Sequence, residues 1–365
     1  MTKQDLQGFD IRFPVAFGSG LAAAMLFVAA WQQGTLAALL LASMSPLPIM
    51  IATLGFGHAT GLGAAVAAAV TIMALITAAT TAAFSLNTLL SAGFAGLIFA
   101  LSLTLPSWWL ARLAGAGQSQ VIIPWLTRFM PLSSGKAAAE SKTKISARPR
   151  YPFGDILMSV VAIAFGVVTA ITLAVVFQQD SYEAGLAKAV AKVEPLISEM
   201  LGARELPKNF DLAALSRLVV ETMPATASGM LALVLTANLW LGGRVVQLSH
   251  RLPYPWPDIP HDLRVPRIAA LVFIACLGLT FLHGLAGVIA SVAAAALGVT
   301  FVLQGLAVLH DLSRGMKFRT ALLCGLYLTL GLLVPWPLII LAVIGLIESG
   351  FSLRDRKAQA ASTHI

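Results

Sequence analysis

Apolar residues run along the chain in blocks of about twenty, and polar residues mark the gaps between them. A hydrocarbon core of ~30 Å takes ~20 apolar residues of helix. On that spacing, spans are predicted at 13–31, 35–56, 62–83 and 84–105, then 153–177, 222–241, 268–282 and 285–309. A final apolar run covers 320–347. The second span is interrupted by Ser45-Pro46-Leu47-Pro48. Proline removes a backbone donor and crowds the preceding turn, so this span is broken or kinked. The carbonyls freed there need protein partners, which turns the break away from lipid. Gly57-His58-Ala59-Thr60-Gly61 reads as the following turn, and Pro106 with Trp108 and Trp109 as the end of span four.

Between Arg12 and Arg112 lie 99 residues without Asp, Glu, Lys or Arg. With 58% hydrophobic and 11% charged residues overall, the 365-residue chain cannot cover a soluble globule with polar surface. Soluble domains carry ~25% charged residues. A cytosolic enzyme, a disordered chain and a secreted disulfide scaffold are excluded. What remains is an all-α polytopic transmembrane bundle. Cys276 and Cys324 both lie in apolar segments and read as small hydrophobes.

Charge then sets orientation. Residues 112–152 carry seven basic residues against Glu140, and the 244–267 and 310–319 loops and the tail with Arg354, Arg356 and Lys357 are also basic. Lys and Arg are retained on the cytoplasmic side, so these loops are expected there, and the net charge of +8 is a topology signal, not a nucleic-acid signal. The 178–221 segment has seven acids and five bases and is expected outside. Within it Leu186, Val190, Val193, Ile197 and Met200 recur at helical spacing, Pro195 offers a bend, and Asp211 is placed to cap a second helix. Counting crossings with both termini inside requires the last run to fold as a pair turning at Pro335-Trp336-Pro337. That gives about ten membrane segments, with eight or nine as alternatives. The organisation expected is a four-span unit (1–112), a basic cytoplasmic loop (113–152), a C-terminal membrane unit (153–353) with the external amphipathic region 178–221, and a cytoplasmic tail (354–365).

Polar groups inside spans are costly and therefore functional suspects. Pro46, Pro48, His58, Asn87, Asn238 and Gln304 form the candidate lining of a solute cavity, against the plainer roles of an interfacial turn for His58 and helix-to-helix hydrogen bonding for Asn87, Asn238 and Gln304. Glu348, at the end of the last segment, opposes the helix dipole and is expected to pair with Arg354 or another loop arginine. Gly284, Gly287, Ser291 and Ala295 offer a small-residue packing face. The chain has no GxxxxGK[ST], HExxH, GxSxG or CxxC, so no enzyme activity, metal or cofactor is expected.

The Pro46-Leu47-Pro48 break followed by Gly57-His58, the polar region before the Pro224-bearing span, and the ending Gly345-Leu346-Ile347-Glu348-Ser349-Gly350-Phe351 with Arg354 resemble the YybS-like bacterial membrane proteins. These are similar in part to the S components of energy-coupling-factor transporters. The resemblance implies a bacterial inner-membrane location, a small-molecule cavity among the helices and an ATPase or other membrane-protein partner. The chain departs from that pattern in having more spans than the usual six. Two functions are carried forward: solute binding or transport near the broken span, and an envelope scaffold acting through the external amphipathic region and the basic loop.

Overall fold

The computed structural model describes residues 11–33, 35–79, 86–116, 153–202, 211–252 and 255–362, with side chains throughout except at 30–33, 86–88, 358 and 360–362. The regular secondary structure of the described residues is entirely helical, with no strand among them. In order the helices are α1 (Arg12–Gln33), α2 (Leu36–Ser43), α3 (Pro46–Phe56), α4 (His58–Ala79), α5 (Leu86–Phe99) and α6 (Leu105–Ala116). Next come α7 (Phe153–Val176), α8 (Tyr182–Leu201), α9 (Leu212–Leu248), α10 (Ile259–Asp262) and α11 (Arg267–Leu279). The chain closes with α12 (Leu285–Leu312), α13 (Arg319–Leu332), α14 (Trp336–Phe351) and α15 (Leu353–Ser362).

Among the described residues, seven stretches are long and apolar enough to cross a membrane: 12–29, 36–56, 58–79, 89–116, 153–176, 212–248 and 285–312. The shorter apolar helices α11, α13 and α14 have 13, 14 and 16 residues. At 1.5 Å per residue they are roughly 20–24 Å long, less than a hydrocarbon core. The seven long and three short helices occupy the ten segments read from hydropathy. The protein is therefore an all-α polytopic helical bundle. The 320–347 run resolves into α13 and α14, separated at Leu333–Pro335 by a cis Val334–Pro335 bond.

Two local features differ from the hydropathy reading. The helix after α5 does not stop at Pro106. A π-helical turn, Ala100–Thr104, precedes it and α6 continues to Ala116. Leu105 N–H reaches back to Ala100 O, and this one-residue widening lets the helix pass a proline that cannot donate. The 57–61 turn shrinks to Gly57 alone, at φ 102°, a conformation that favours glycine. The amphipathic helix α8 runs through Pro195 as one helix, and Leu186 on its apolar face is buried. Asp211 does cap α9, its carboxylate accepting from Ala214 N at 2.9 Å.

The chain divides into two compact units. The first comprises 1–159 and 234–258. Its core is built from small residues: Ala23 and Ala24 of α1, Ala64, Ala65 and Ala68 of α4, with Ile49, Ala52, Ile72 and Phe99. A Cβ at Gly20 would strike the backbone and side chains of 64–68, so α1 and α4 meet at backbone distance. Close approach by small residues is how apolar helices gain contact where lipid removes the hydrophobic drive. The C-terminal part of α9 joins this unit, Gly242 lying on Leu47 and Met50 of α3.

The second unit comprises 160–233 and 259–365 and centres on α12. A Cβ at Gly305 would strike the Leu341 carbonyl, and one at Gly345 the Phe301 carbonyl. These two glycines set the α12–α14 contact; on the expected 284–295 face, Gly287 fits beneath the Leu282 carbonyl of the preceding turn and Ala295 packs against Gly229 of α9. Phe273 stacks on Phe301 at 5.2 Å, bringing in α11. Replacing Gly345 by leucine is expected to cost about 1–3 kcal/mol by overpacking. Thermal unfolding in detergent checks it, and an unchanged midpoint contradicts this packing.

Candidate functional site

The break between α2 and α3 follows from its two prolines. In a continuous helix, residues 46 and 48 would donate to carbonyls four residues back, and neither can. The chain ends one helix and starts another across Met44 and Ser45. Met44 N donates to Leu41 O, Ser45 N to Ala42 O and Leu47 N to Met44 O, each at 3.0 Å. Pro46 and Pro48 then sit in the first turn of α3, where donors have no intrahelical partner in any case.

Because Leu47 N turns to Met44 O, the Ser43 carbonyl is left without its helical donor. Asn238 of α9 supplies one. Its Nδ2 donates to Ser43 O at 2.7 Å and to Val234 O at 2.8 Å. Two carbonyl partners fix which end of the amide is nitrogen. The break is turned inward: Ser45, Pro46 and Asn238 are buried. Two oxygens there have no hydrogen-bond partner among the described residues, Asn238 Oδ1 and Ser45 Oγ. Buried polar groups are nearly always paired, and an unpaired one costs about 1–3 kcal/mol. The chemistry of the break is lopsided. The prolines remove two N–H donors, while the Asn238 amide oxygen, an acceptor, and the Ser45 hydroxyl, both donor and acceptor, have no partner among the described residues.

The other sequence candidates lie in several places. His58 opens α4, its side chain exposed and its carbonyl accepting from Trp108 Nε1 at 2.8 Å. Asn87 lies in α5, and its side chain is outside the described residues. Gln304 belongs to the second unit. Its Nε2 donates to Gly345 O (2.7 Å) and Ser349 Oγ (2.8 Å), and its Oε1 accepts from Val265 N (2.6 Å). It ties α12 to α14 and to the segment before α11. The structure thus brings Pro46, Pro48 and Asn238 together, with His58 at the far end of α3, and holds Gln304 in a separate network.

Glu348 and Arg354 belong to the same network as Gln304's partners. Arg354 Nε donates to Glu348 Oε1 at 2.8 Å, with both side chains at 4% exposure or less. Arg354 Nη1 donates to Pro260 O (2.7 Å) and His261 O (3.1 Å), and Nη2 to Leu263 O (2.7 Å). A carboxylate near a helix C-terminus is thereby neutralised, and the guanidinium closes the carbonyls of the 260–263 segment. Sequence reading missed the outer part of this knot. Arg264 makes two bonds to Asp355, at 2.6 and 2.7 Å, and Arg267 Nε donates to Ser349 O at 3.2 Å. The hydrogen bonds from Arg264 hold the Asp355 carboxyl below its ordinary pKa. Nothing in a single sequence links positions 91 apart. Lys357 Nζ caps the Leu312 carbonyl at the end of α12 (2.6 Å).

Among the described residues no group of three or more His, Cys, Asp or Glu is placed to hold a metal ion. Residues 148–349, more than half of the chain, match the profile of a family described as "Predicted membrane protein (DUF2232)". Comparison with curated proteins and with solved structures finds no match.

Proposed function

The chain belongs to the DUF2232 family of predicted membrane proteins, and from that premise we propose that it binds a small polar solute at the α2–α3 break and moves or presents it across the bacterial inner membrane. The supporting observation is the pair of buried, unpartnered oxygens, Asn238 Oδ1 and Ser45 Oγ, beside a helix interruption inside an apolar bundle. Broken helices in membrane carriers bring polar backbone and side chains to bear on a substrate where a continuous helix could not. An amide oxygen that accepts and a hydroxyl that both accepts and donates suit a neutral solute that does the same, such as a polyol. The S-component resemblance adds an ATPase partner on the cytoplasmic side, the side assigned to both termini by the basic loops. Pro46, Pro48, Ser45 and Asn238 form the binding end of this reading, with His58 at the mouth.

A second reading, an envelope scaffold, draws on α8, whose Leu196 and Met200 remain 58% and 87% exposed. The basic loop it would also use, at 117–152, lies outside the described residues.

Affinity purification in mild detergent, with small molecules and proteins identified together, separates the two. Solute binding predicts a donor-bearing small molecule that is absent from the Asn238→Leu variant. Scaffolding predicts a stoichiometric protein partner lost on changing Leu196 and Met200 to serine. Recovery of the protein with neither contradicts both readings.

A further inference from the structure

Two arginines from distant parts of the chain converge on the Gly57 turn. The Arg251 guanidinium lies 4.3 Å from the centroid of the Phe56 ring. The Arg112 guanidinium lies 5.3 Å from Trp109 and 5.7 Å from Trp108, and Trp108 is itself bonded to the His58 carbonyl. Phe56 and His58 are the two residues that flank Gly57, so both guanidinium groups border one turn between two apolar helices. Both arginine side chains are exposed, and neither meets a carboxylate among the described residues.

The guanidinium carries its N–H donors in a fork that matches two oxygens of a phosphate. Cation–π attraction holds these cations beside the rings, and their exposed side chains leave the donors available. The setting selects the source of the phosphate. Arg112 and Arg251 stand at the ends of long apolar helices, where Trp side chains favour headgroup depth. A charge at that depth faces lipid headgroups. The described part of this unit carries only two acids, Asp155 and Asp258, so the turn lies in a field of one sign.

We propose that the Gly57 turn is a binding site for the phosphate of an anionic phospholipid, held between Arg112 and Arg251. This site is separate in chemistry from the uncharged α2–α3 break and does not depend on solute binding there.

The test uses the full chain purified in a mild neutral detergent and exchanged into mixed micelles of phosphatidylglycerol and phosphatidylcholine. Native mass spectrometry counts the lipids that stay bound. Wild-type protein is expected to retain phosphatidylglycerol over phosphatidylcholine by at least roughly tenfold, given about 1 kcal/mol for each basic residue at an anionic surface. Arg112→Gln with Arg251→Gln is expected to lose most of that preference, while Arg217→Gln, in the acidic 178–221 segment, keeps it. Inorganic phosphate at millimolar concentration is expected not to displace the lipid, and displacement would assign the site to free anions and overturn the lipid proposal. If the double variant aggregates, the wild-type lipid ratio decides alone. Equal retention of the two lipids by wild type, or an unchanged ratio in a well-folded double variant, overturns the proposal.

Discussion

Replacing Arg354 by alanine is expected to destabilise the second unit by about 3–5 kcal/mol, the cost of leaving a buried charge without its partner. The Glu348 carboxylate would stay 5% exposed at a helix C-terminus with no cation beside it. The carbonyls of Pro260, His261 and Leu263 would lose their donors at the same time. Arg354→Lys should recover only part of the loss, since an ammonium cannot reproduce a planar fork that meets four acceptors. Glu348→Gln should be milder than either, because the amide oxygen still accepts from Arg354 Nε. Exchanging both residues for leucine or methionine is often neutral for a buried ion pair. Here it should remain destabilising, because the three backbone carbonyls still go unpaired. Denaturant or thermal unfolding of detergent-solubilised protein checks the order Arg354→Ala, then Arg354→Lys, then Glu348→Gln. An alanine variant within 1 kcal/mol of wild type would sink the description of the knot, by the usual spread for a structurally silent change.

Asn238→Leu is expected to cost about 1–3 kcal/mol, because leucine fills the volume but leaves the Ser43 carbonyl without a donor in an apolar interior. The size of this effect should depend on the prolines. With Pro46 and Pro48 both changed to alanine, Leu47 N can return to Ser43 O and α2 can run into α3 as one helix. Asn238→Leu should then cost little. The coupling in this double-mutant cycle is expected to be about 1–2 kcal/mol. Simple additivity would mean that the asparagine does not serve the break.

The architecture was legible because membrane spans are coded by composition over some twenty residues, and that signal needs no knowledge of contacts. The break was legible too, since two prolines two residues apart forbid the same helix whatever surrounds them. The partner of the freed carbonyl was only half legible. Asn238 stood out as a polar residue in an apolar run, but its link to Ser43 spans 195 positions. Ser45 is legible only as part of the break, because a serine beside two prolines carries no further signal until its hydroxyl is seen buried and unpaired among the described residues. The α12–α14 contact shows the same limit. Gly305 and Gly345 matter through each other's helix, and each alone is one of 30 glycines. The 284–295 spacing looked more regular and faces a different surface. Gln304 illustrates the converse. Its type and position allowed either a cavity lining or helix-to-helix hydrogen bonding, and its amide does the second, engaged by Val265, Gly345 and Ser349.

The proposed solute site rests on two oxygens that have no hydrogen-bond partner among the described residues. The most direct measurement is an electron cryomicroscopy map of the protein purified from its native membrane and kept in lipid, at a resolution that shows bound solute. The account predicts density larger than one water within hydrogen-bond distance of both Asn238 Oδ1 and Ser45 Oγ, and its absence from a map of Asn238→Leu. A break closed by side-chain packing, or holding a single water in both maps, would contradict it.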